Sequence, residues 1–251
     1  RRGFATGEVM VVLVAVSPIF KLQKPFLKKL LEKHPEITTV VLNINNRFGP
    51  VILGVREKVI YGSGYIEDVL CGKRFRISSR SFYQINPVQT EKLYSAAIGL
   101  AGLTGNEIVL DAYCGIGTIG LSASDKAKQV IGVEINRDAV NDAIANARLN
   151  VVKNCWFTVG DAGKYMEQMA ADKVKPDIVF MDPPRAGSDE RFLSSLLKCA
   201  PGRIVYISCN IDTQRRDLDV LLSGGYKLRR IQPVDMFPYT EHIECVVMLE
   251  K

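Results

Sequence analysis

The sequence predicts an α/β fold in which a small α+β domain precedes a larger domain built on a mostly parallel sheet. After Pro87, short apolar strands alternate with longer amphipathic segments, which is typical of a parallel sheet with helices on both faces. Before that point the pattern is mostly strand-like. We therefore expect an α+β domain at residues 1–85 and an α/β domain at residues 86–251.

The composition is that of a globular protein. The chain has 251 residues, 47% of them hydrophobic and 24% charged, which argues against a disordered, collagenous or fibrous chain. Its longest apolar run, residues 9–16, is far shorter than the roughly 20 residues that cross a bilayer, so we expect no membrane partner. Because the chain begins at Arg1 and not at Met, we expect that an upstream segment was removed or left out.

The cysteines and the net charge narrow the class further. Six cysteines are scattered without a Cys-x-x-Cys pair, so we predict no disulfide framework, no metal site, reduced thiols and a cytoplasmic location. The formal net charge of +6 and the pI of about 9.0 favour an anionic partner, with nucleic acid first.

The first domain is predicted to hold short β-branched strands broken by Asn, Gly and Pro. Turn residues include Gly49 and Pro50. The one helix, residues 24–33, is indicated by Phe26, Leu27 and Leu30 at helical spacing. The predicted strands are residues 8–16, 38–44, 51–55, 59–61 and 74–77.

The second domain is predicted to hold seven strands and the helices between them. Its clearest helix is 137–149, where small apolar residues recur on one face. The last two strands leave no room for a helix between them, so we expect the final strand to return antiparallel. The predicted strands are residues 107–112, 129–134, 156–159, 177–181, 203–208, 228–236 and 244–249.

A glycine-rich loop follows the first of these strands. Gly115, Gly117 and Gly120 satisfy G-x-G-x-x-G, and Glu134 stands 19 residues after Gly115, where a carboxylate can hold ribose hydroxyls. Glycines at such positions let a ligand approach the backbone. This motif alone leaves both a dinucleotide and S-adenosylmethionine open as the ligand.

The acidic and aromatic residues at the predicted strand ends favour S-adenosylmethionine. This cofactor carries a sulfonium cation and no phosphate, so its site needs carboxylates more than phosphate-binding amides. Asp161 has a second interpretation, as a helix cap after a strand. The residues with the expected chemistry are Asp111, Tyr113, Glu134, Asp161 and Asp182.

Two further segments supply candidate residues for the chemistry. Asp182 leaves a buried strand just before two prolines that give the loop a set shape. Cys209 follows another buried strand and precedes a helix that we expect Asp212 to cap. A thiol at a helix N-terminus has its pKa lowered by the helix dipole, so Cys209 is predicted to be a nucleophile.

The segment 235–244 supplies a candidate base. On an extended chain His242 and Glu244 point to the same face, and Glu244 can accept a proton. A hydrolase triad of Cys209, His242 and Asp235 is an alternative, although it leaves the glycine loop without a role. Otherwise we expect His242 to be a buried ring that orders the turn.

Taken together, these motifs resemble the S-adenosylmethionine-dependent RNA uracil-5-methyltransferases. The resemblance covers the second domain throughout and implies a Rossmann-like class I methyltransferase sheet. It also implies methyl transfer to C5 of a uridine in RNA through a Cys–C6 adduct, with 23S rRNA favoured over tRNA. The segments that carry it are residues 81–86, 111–120, 182–187, 206–210 and 235–244.

The resemblance implies a role for each matching residue. Cys209 would be the nucleophile and Glu244 the base that removes the C5 proton. Thr118 stands where some members of the family carry Asn. The residues implied in cofactor or base binding are Gln84, Tyr113, Gly115, Gly117, Thr118, Glu134, Asp161 and Asp182.

RNA phosphates are predicted to bind a basic stretch before Gln84, although a charge run is often only a solvated face. Members of the family typically carry an N-terminal RNA-binding barrel, and some hold an iron–sulfur cluster. Neither is visible in this sequence, and no protein partner is inferred. The candidate RNA contacts are Lys73, Arg74, Arg76, Arg80 and Arg185.

Three competing functions remain open at the level of sequence. An NAD(P)-dependent oxidoreductase accounts for the glycine loop and Glu134 but gives Cys209 no role. An amino-group methyltransferase accounts for the acidic-Pro-Pro loop but usually places an aromatic residue where Arg185 stands. An RNA-binding module with a vestigial pocket would bind the cofactor without transferring a methyl group.

Overall fold

A computed structural model of the chain describes residues 1–49 and 51–251. Two units make up these residues: the first holds residues 1–69 and 74–82, and the second holds residues 70–73 and 83–251. Pro50, one of the predicted turn residues, lies outside the described residues.

The first unit is an α+β arrangement with a three-stranded sheet in the order β1-β2-β3. Strand β2 pairs in parallel with β1 and antiparallel with β3, and helix α1 connects β1 to β2. Strands β4 and β5 pair separately. The elements are β1 (Val9–Ala15), α1 (Gln23–Lys33), β2 (Ile37–Ile44), β3 (Arg56–Tyr61), β4 (Tyr65–Leu70) and β5 (Lys73–Ser78).

The strand predicted at residues 51–55 is wrong, because asparagine side chains replace the partner that a strand would need. Asn43 accepts a hydrogen bond from the Gly54 N–H at 2.6 Å and donates to the Gly54 carbonyl at 3.1 Å. Asn45 donates to the carbonyls of Val51 and Ile52. Backbone groups that are satisfied in this way form a loop and not a ladder.

Strand β4 was not predicted, and its buried face explains why. Ile66, Asp68 and Leu70 alternate as the buried positions, so a carboxylate interrupts the apolar pattern. The burial of Asp68 is compensated by a 2.8 Å hydrogen bond from the Ala5 N–H.

The second unit confirms the predicted α/β architecture with seven strands, in the order β11-β12-β10-β9-β6-β7-β8. Its strands are β6 (Ile108–Ala112), β7 (Gln129–Glu134), β8 (Cys155–Val159), β9 (Ile178–Met181), β10 (Arg203–Ser208), β11 (Lys227–Val234) and β12 (Glu244–Glu250). Its helices are α2 (Pro87–Ala101), α3 (Thr118–Ala123), α4 (Arg137–Leu149), α5 (Ala162–Ala171), α6 (Glu190–Cys199) and α7 (Ile211–Ser223).

Strand directions follow the expectation from connection lengths. Strands β6 to β10 pair in parallel, and β12 runs antiparallel to both β10 and β11, as predicted for the last strand. The strand predicted at residues 228–236 ends earlier, at Val234, where the Met236 N–H turns back to the Val234 carbonyl at 2.9 Å.

The core on one face of this sheet is formed by α5 and α6 against the central strands. Phe192 of α6 is fully buried there and packs with Met166 of α5 and Tyr206 of β10. Its ring also lies 5.4 Å from the ring of Tyr113, in the loop after β6. Packing of α6 therefore supports an aromatic residue of the predicted cofactor site. Among the described residues, none of the helices combines the length and the apolar character needed to span a bilayer.

We predict that Phe192→Ala lowers the free energy of unfolding by about 4 kcal/mol, because the substitution removes a buried ring and leaves a cavity. Urea unfolding followed by circular dichroism measures this difference. The control Ser194→Ala changes an exposed residue of the same helix and should stay within about 0.5 kcal/mol of the parent. A loss below about 1 kcal/mol for Phe192→Ala would contradict the core described above.

Candidate active site

The predicted site residues of the second unit gather at one edge of its sheet. Because β6 to β10 are parallel, their carboxyl ends share that edge. Glu134 ends β7, and the residues just beyond β9 and β10 are Asp182 and Cys209. Strand β12 begins at the same edge with Glu244, since its Cys245 pairs with Ser208 of β10. The register therefore brings Glu244 and Cys209 together.

The glycine loop between β6 and α3 turns through left-handed backbone conformations. Gly115 and Gly117 have φ of 54° and 83°, and a Cβ on Gly117 would approach the Phe157 ring to 3.0 Å. The space at the Gly115 Cβ position holds no atom within 4 Å, so the backbone there is open to a ligand. Tyr113 has a φ of 65°, which is uncommon for a residue with a side chain.

Glu134 is held by the loop that it faces. Its Oε2 accepts a hydrogen bond from the Gly115 N–H at 3.1 Å, and its Oε1 accepts one from the Asn136 N–H at 2.7 Å. The carboxylate is thus oriented by two backbone groups. Each of its oxygens keeps a further lone pair for a hydroxyl group.

Asp111 is a buried carboxyl group that is only half satisfied. Its Oδ2 accepts a hydrogen bond from the Gly120 N–H at 2.8 Å, whereas its Oδ1 is buried and has no hydrogen-bond partner. The pKa of Asp111 is raised to about 7, mainly because the group is buried; the Gly120 hydrogen bond opposes this rise and the nearby Glu134 adds to it. A cation or a donor placed beside this carboxyl group would lower its free energy.

Asp182 and Glu244 form an acidic pair at the strand ends. Burial raises the pKa of Asp182 well above its usual value, and the charges of Glu244 and Asp111 act in the same direction. Burial also raises the pKa of Glu244, which is 4% exposed, while Arg185 opposes this rise. A carboxylate with a raised pKa is suited to accept a proton near neutral pH.

Cys209 is partly buried between β10 and α7, but its environment differs from the prediction in two respects. Asn210, and not Asp212, caps the helix, since Asn210 Oδ1 accepts from the N–H of Asp212. Burial raises the pKa of the Cys209 thiol, and Glu244 raises it further, so the predicted lowering is wrong. Neighbouring carboxylates and desolvation outweigh the helix N-terminus here.

Arg185 counteracts the acidic surroundings of the thiol. It is exposed, and its charge lowers the pKa of both Cys209 and Glu244. The loop that carries it is fastened to α7, because Asn210 Nδ2 and Thr213 Oγ1 each donate to the Arg185 carbonyl at 3.1 Å. From the sequence, Arg185 was predicted only as an RNA contact. Its effect on the pKa values of Cys209 and Glu244 was not predicted.

Three further predicted residues differ in their local surroundings. Asp161 caps α5 through a 2.9 Å hydrogen bond from the Lys164 N–H to Oδ1, which was the alternative interpretation of this residue. Thr118 opens α3, and its hydroxyl bonds to Tyr94 at 3.0 Å. Gln84 is partly buried two residues before the α2 cap, Asn86.

Asn86 connects this part of the chain to the last motif. Its Nδ2 donates to the Met236 carbonyl at 3.0 Å, which joins the start of α2 to the segment 235–244. Tyr94 of α2 was missed by the sequence analysis, although it is buried, bonds to Thr118 and has its pKa raised by burial and by Asp182. Its apolar helical spacing gave no sign of a polar role.

The structure does not form the hydrolase triad. Asp235 and His242 are both exposed, so the expectation of a buried His242 ring is wrong. His242 also does not share a face with the buried Glu244, because the chain turns at this point and the His242 N–H donates to Thr240 Oγ1. The extended geometry assumed for the pair begins only at Glu244.

The predicted RNA contacts at residues 73–80 are largely engaged within the protein. Lys73 is 15% exposed and forms an ion pair with Asp125 at 2.7 Å. Arg74 pairs with Glu67 at 3.1 Å, and the Arg76 guanidinium lies 4.0 Å from the Tyr65 ring centre. These three side chains are less available to phosphates than their sequence pattern suggested.

A buried network around Asp217 of α7 holds the loop that follows Asp182. Asp217 Oδ2 accepts hydrogen bonds from the Tyr206 hydroxyl at 2.7 Å and the Ser188 N–H at 2.8 Å, and Oδ1 accepts from Arg216 at 2.6 Å. Arg216 also donates to the Ser188 carbonyl at 3.2 Å. Tyr113 joins the network through a 3.3 Å bond from its hydroxyl to Ser188 Oγ.

Comparison with known proteins identifies close relatives. The family described as tRNA (uracil-5-)-methyltransferase matches residues 48–251. An uncharacterized RNA methyltransferase of Enterococcus faecalis is 47% identical over 252 residues, covering 100% of this chain and 55% of that protein. A second, from Halalkalibacterium halodurans, is 48% identical over 250 residues with the same coverage. The chain thus spans about half the length of these relatives.

Two solved structures are also similar. The Pyrococcus abyssi tRNA (uracil-54, C5)-methyltransferase in complex with S-adenosyl-L-homocysteine has a TM-score of 0.80 and 30% identity, covering 99% of this chain and 58% of that one. The M. jannaschii tRNA m1G37 methyltransferase is less similar, with a TM-score of 0.59 and 14% identity, covering 97% of this chain and 73% of that one. The second similarity concerns the fold alone.

We predict that Asp217→Ala lowers the free energy of unfolding by about 3 kcal/mol, because it leaves the buried Tyr206 hydroxyl and the Ser188 N–H without their acceptor. Urea titration measures the loss. Asp219→Ala, an exposed position on the same helix, is the matched control and should change stability by less than about 0.5 kcal/mol. Equal effects of the two substitutions would refute the importance of this network.

Proposed function

Since the chain belongs to the tRNA (uracil-5-)-methyltransferase family, we propose that it transfers a methyl group from S-adenosylmethionine to C5 of a uridine in RNA. The observation that carries this proposal is the register of β10 and β12, which sets a cysteine and a buried carboxyl group against each other beside the glycine loop. An oxidoreductase or an amino-group methyltransferase needs no such cysteine.

The residues at the strand ends fit S-adenosylmethionine. The cofactor supplies an activated methyl group on a sulfonium cation. The buried, unpartnered Oδ1 of Asp111 and the raised pKa of Asp182 mark a place where a positive charge would be stabilised. Glu134 would accept hydrogen bonds from ribose hydroxyls, and Gly115 offers open backbone. Tyr113, Gly117, Thr118, Asp161 and Gln84 complete the proposed cofactor and base contacts.

Cys209 would act first, by adding to C6 of the uracil ring. Carbon C5 of uracil is a weak nucleophile, and addition of a thiolate at C6 makes it electron-rich enough to take a methyl group. The raised pKa of Cys209 means that the thiolate needs help, and the exposed Arg185 guanidinium is the group beside it that supplies positive charge. We therefore assign Arg185 to thiolate stabilisation as well as to RNA contact.

Glu244 would act last. After methylation C5 still carries its original proton, and removal of that proton allows the Cys209–C6 bond to break and the ring to regain its double bond. Glu244 and Cys209 each lie one residue beyond the last β10–β12 pair, Ser208 with Cys245. The pKa of Glu244 is raised by burial, which suits a group that accepts a proton. Asp182 would bond to the polar edge of the base and orient it.

The RNA must present its uridine outside a helical stack, because stacking hides C5 and C6. The family resemblance of the sequence favours 23S rRNA over tRNA as the substrate. In contrast, tRNA appears in the names of the matching family and of the Pyrococcus abyssi enzyme. The proposed reaction is chemically possible on a uridine of either RNA. Methylation assays with a transcript of each RNA distinguish the two substrates. The activity of the whole protein is part of the same proposal, as this chain covers 55% of the relatives.

We predict that Cys209→Ala reduces methylation by a factor on the order of 10³ or more while cofactor binding is retained, because only the nucleophile is lost. The assay follows 5-methyluridine in unmodified 23S rRNA and tRNA transcripts. Binding is followed as thermal stabilisation by S-adenosylhomocysteine, with NAD as a ligand that should not stabilise. Cys155→Ala is the control. Full activity of Cys209→Ala would remove the covalent mechanism.

We also predict that Glu244→Gln accumulates a protein–RNA adduct that survives denaturing electrophoresis, because the amide cannot take the C5 proton and elimination stalls. Labelled transcript incubated with S-adenosylmethionine reveals the adduct as a shifted band. The exposed Glu241→Gln should show no more adduct than the parent. Release of methylated RNA by Glu244→Gln at the parent rate would exclude Glu244 as the base.

A further inference from the structure

Positive charge is divided unequally between the two units. The first unit, residues 1–69 and 74–82, has 13 lysine and arginine residues and 6 acidic residues, a net charge of +7. The second unit has 20 lysine and arginine residues and 21 acidic residues, a net charge of −1. The excess positive charge of the chain therefore comes entirely from its smaller unit.

Helix α1 and the turn before it hold the densest part of this charge. Five lysines lie between residues 21 and 33, all of them exposed, and Glu32 is the only acidic residue among them. Glu32 pairs with Lys28 at 4.0 Å, and both side chains are more than half exposed, so this pair contributes little. The lysines are Lys21, Lys24, Lys28, Lys29 and Lys33.

These lysines weaken the helix that carries them. Lys24 lies in the first turn, where the helix dipole disfavours positive charge, and no acidic residue or capping side chain compensates. The pairs Lys24–Lys28 and Lys29–Lys33 have the i,i+4 spacing at which like charges repel. Lys33 lies in the last turn, where the helix dipole favours positive charge, so the local cost falls mainly on the other lysines. Such a cost indicates a role in binding.

We propose that α1 binds the phosphate backbone of RNA through these lysines, an inference that rests on the proposed methylation of RNA. The four lysines within the helix span about 14 Å, enough to follow a stretch of backbone and not a single phosphate. Phosphate contacts of this kind add affinity without reading sequence. We assign the RNA contact to α1 and not to residues 73–76, because the charged groups of Lys73, Arg74 and Arg76 contact other groups of the protein.

A lipid surface fits α1 less well. A helix that lies on a membrane needs an exposed apolar face. In α1 the side chains of Phe26, Leu27, Leu30 and Leu31 are all partly buried, whereas the four lysines of the helix are exposed. The exposed apolar residues Ile19 and Leu22 lie before the helix and form no apolar face along it. The observations therefore favour a polyanion that is bound by charge alone.

Fluorescence anisotropy with a labelled, unmodified tRNA transcript tests the proposal over 50–300 mM KCl. Replacing the four helix lysines by glutamine should weaken binding at least tenfold at about 100 mM KCl and reduce the slope of log K against log[KCl] by about 2–3. Binding by a variant with four arginines instead should stay within about twofold of the parent. The glutamine variant carries K24Q, K28Q, K29Q and K33Q.

A matched control removes the same charge from the second unit. Four exposed lysines there are replaced in K128Q, K164Q, K175Q and K198Q, and this variant should keep the parent slope to within about 1. An equal loss in both variants, or no loss in the α1 variant, would overturn the proposal. The proposal would also be overturned if the α1 variant lost binding to phosphatidylglycerol vesicles that the parent binds, while it bound RNA as tightly as the parent.

Failure of this inference is separable from failure of the proposed function. Formation of 5-methyluridine and stabilisation by S-adenosylhomocysteine are measured on the parent chain. If the parent methylates RNA and the α1 variant binds RNA as tightly as the parent, only the role of α1 is rejected. If α1 acts as proposed, the variant raises KM and leaves kcat near the parent value, since contacts with phosphates and not with the reacting base contribute to binding alone.

Discussion

The pairing of β12 with β10 is the constraint on which the chemistry depends. Parallel strands alone would place Glu134, Asp182 and Cys209 at one edge of the sheet, each followed by a loop. In the proposed mechanism Glu244 acts on the same ring as these residues, and a strand that runs the other way can bring it to this edge. The antiparallel β12 does this, because it starts at the edge where β10 ends. Its first residue, Glu244, is therefore held as firmly as the sheet itself.

The acidic character of this edge has two effects that oppose one another. Carboxyl groups at Asp111, Asp182 and Glu244 are suited to a cationic cofactor and to proton acceptance, and burial raises the pKa of each. The same groups make it harder to ionise Cys209. The position of Arg185, on a loop fastened to α7, offsets part of this cost. The pKa values of Cys209 and of the carboxyl groups therefore depend on one another, so these residues do not act independently.

Sequence patterns predicted the second unit well because its elements are long and periodic. Helix α4 and strands β7 and β10 have the predicted bounds, since each combines a clear period with a glycine, proline or capping residue nearby. The first unit was harder. A buried Asp68 hides strand β4, and side-chain hydrogen bonds from Asn43 replace a strand partner, neither of which a hydrophobic pattern reveals.

Within the candidate site, the sequence predicted which side chains share one edge of the sheet better than it predicted the burial and pKa of those side chains. The grouping of Asp182, Cys209 and Glu244 follows from strand ends, which patterns locate. The pKa of Cys209 and the exposure of His242 depend on which distant groups pack nearby, and spacing along the chain carries no such information. The Asp217 network was missed for the same reason, since its partners come from three separate elements.

The left-handed backbone at Tyr113 has a consequence for engineering. Glycine would relax the backbone at this position, although it would also give the unfolded chain more conformational freedom. The ring, however, packs on Phe192 and reaches Ser188, so the relaxed variant would lose the wall between the glycine loop and the loop after β9. Relief of backbone strain and retention of side-chain packing are therefore in conflict at this one residue.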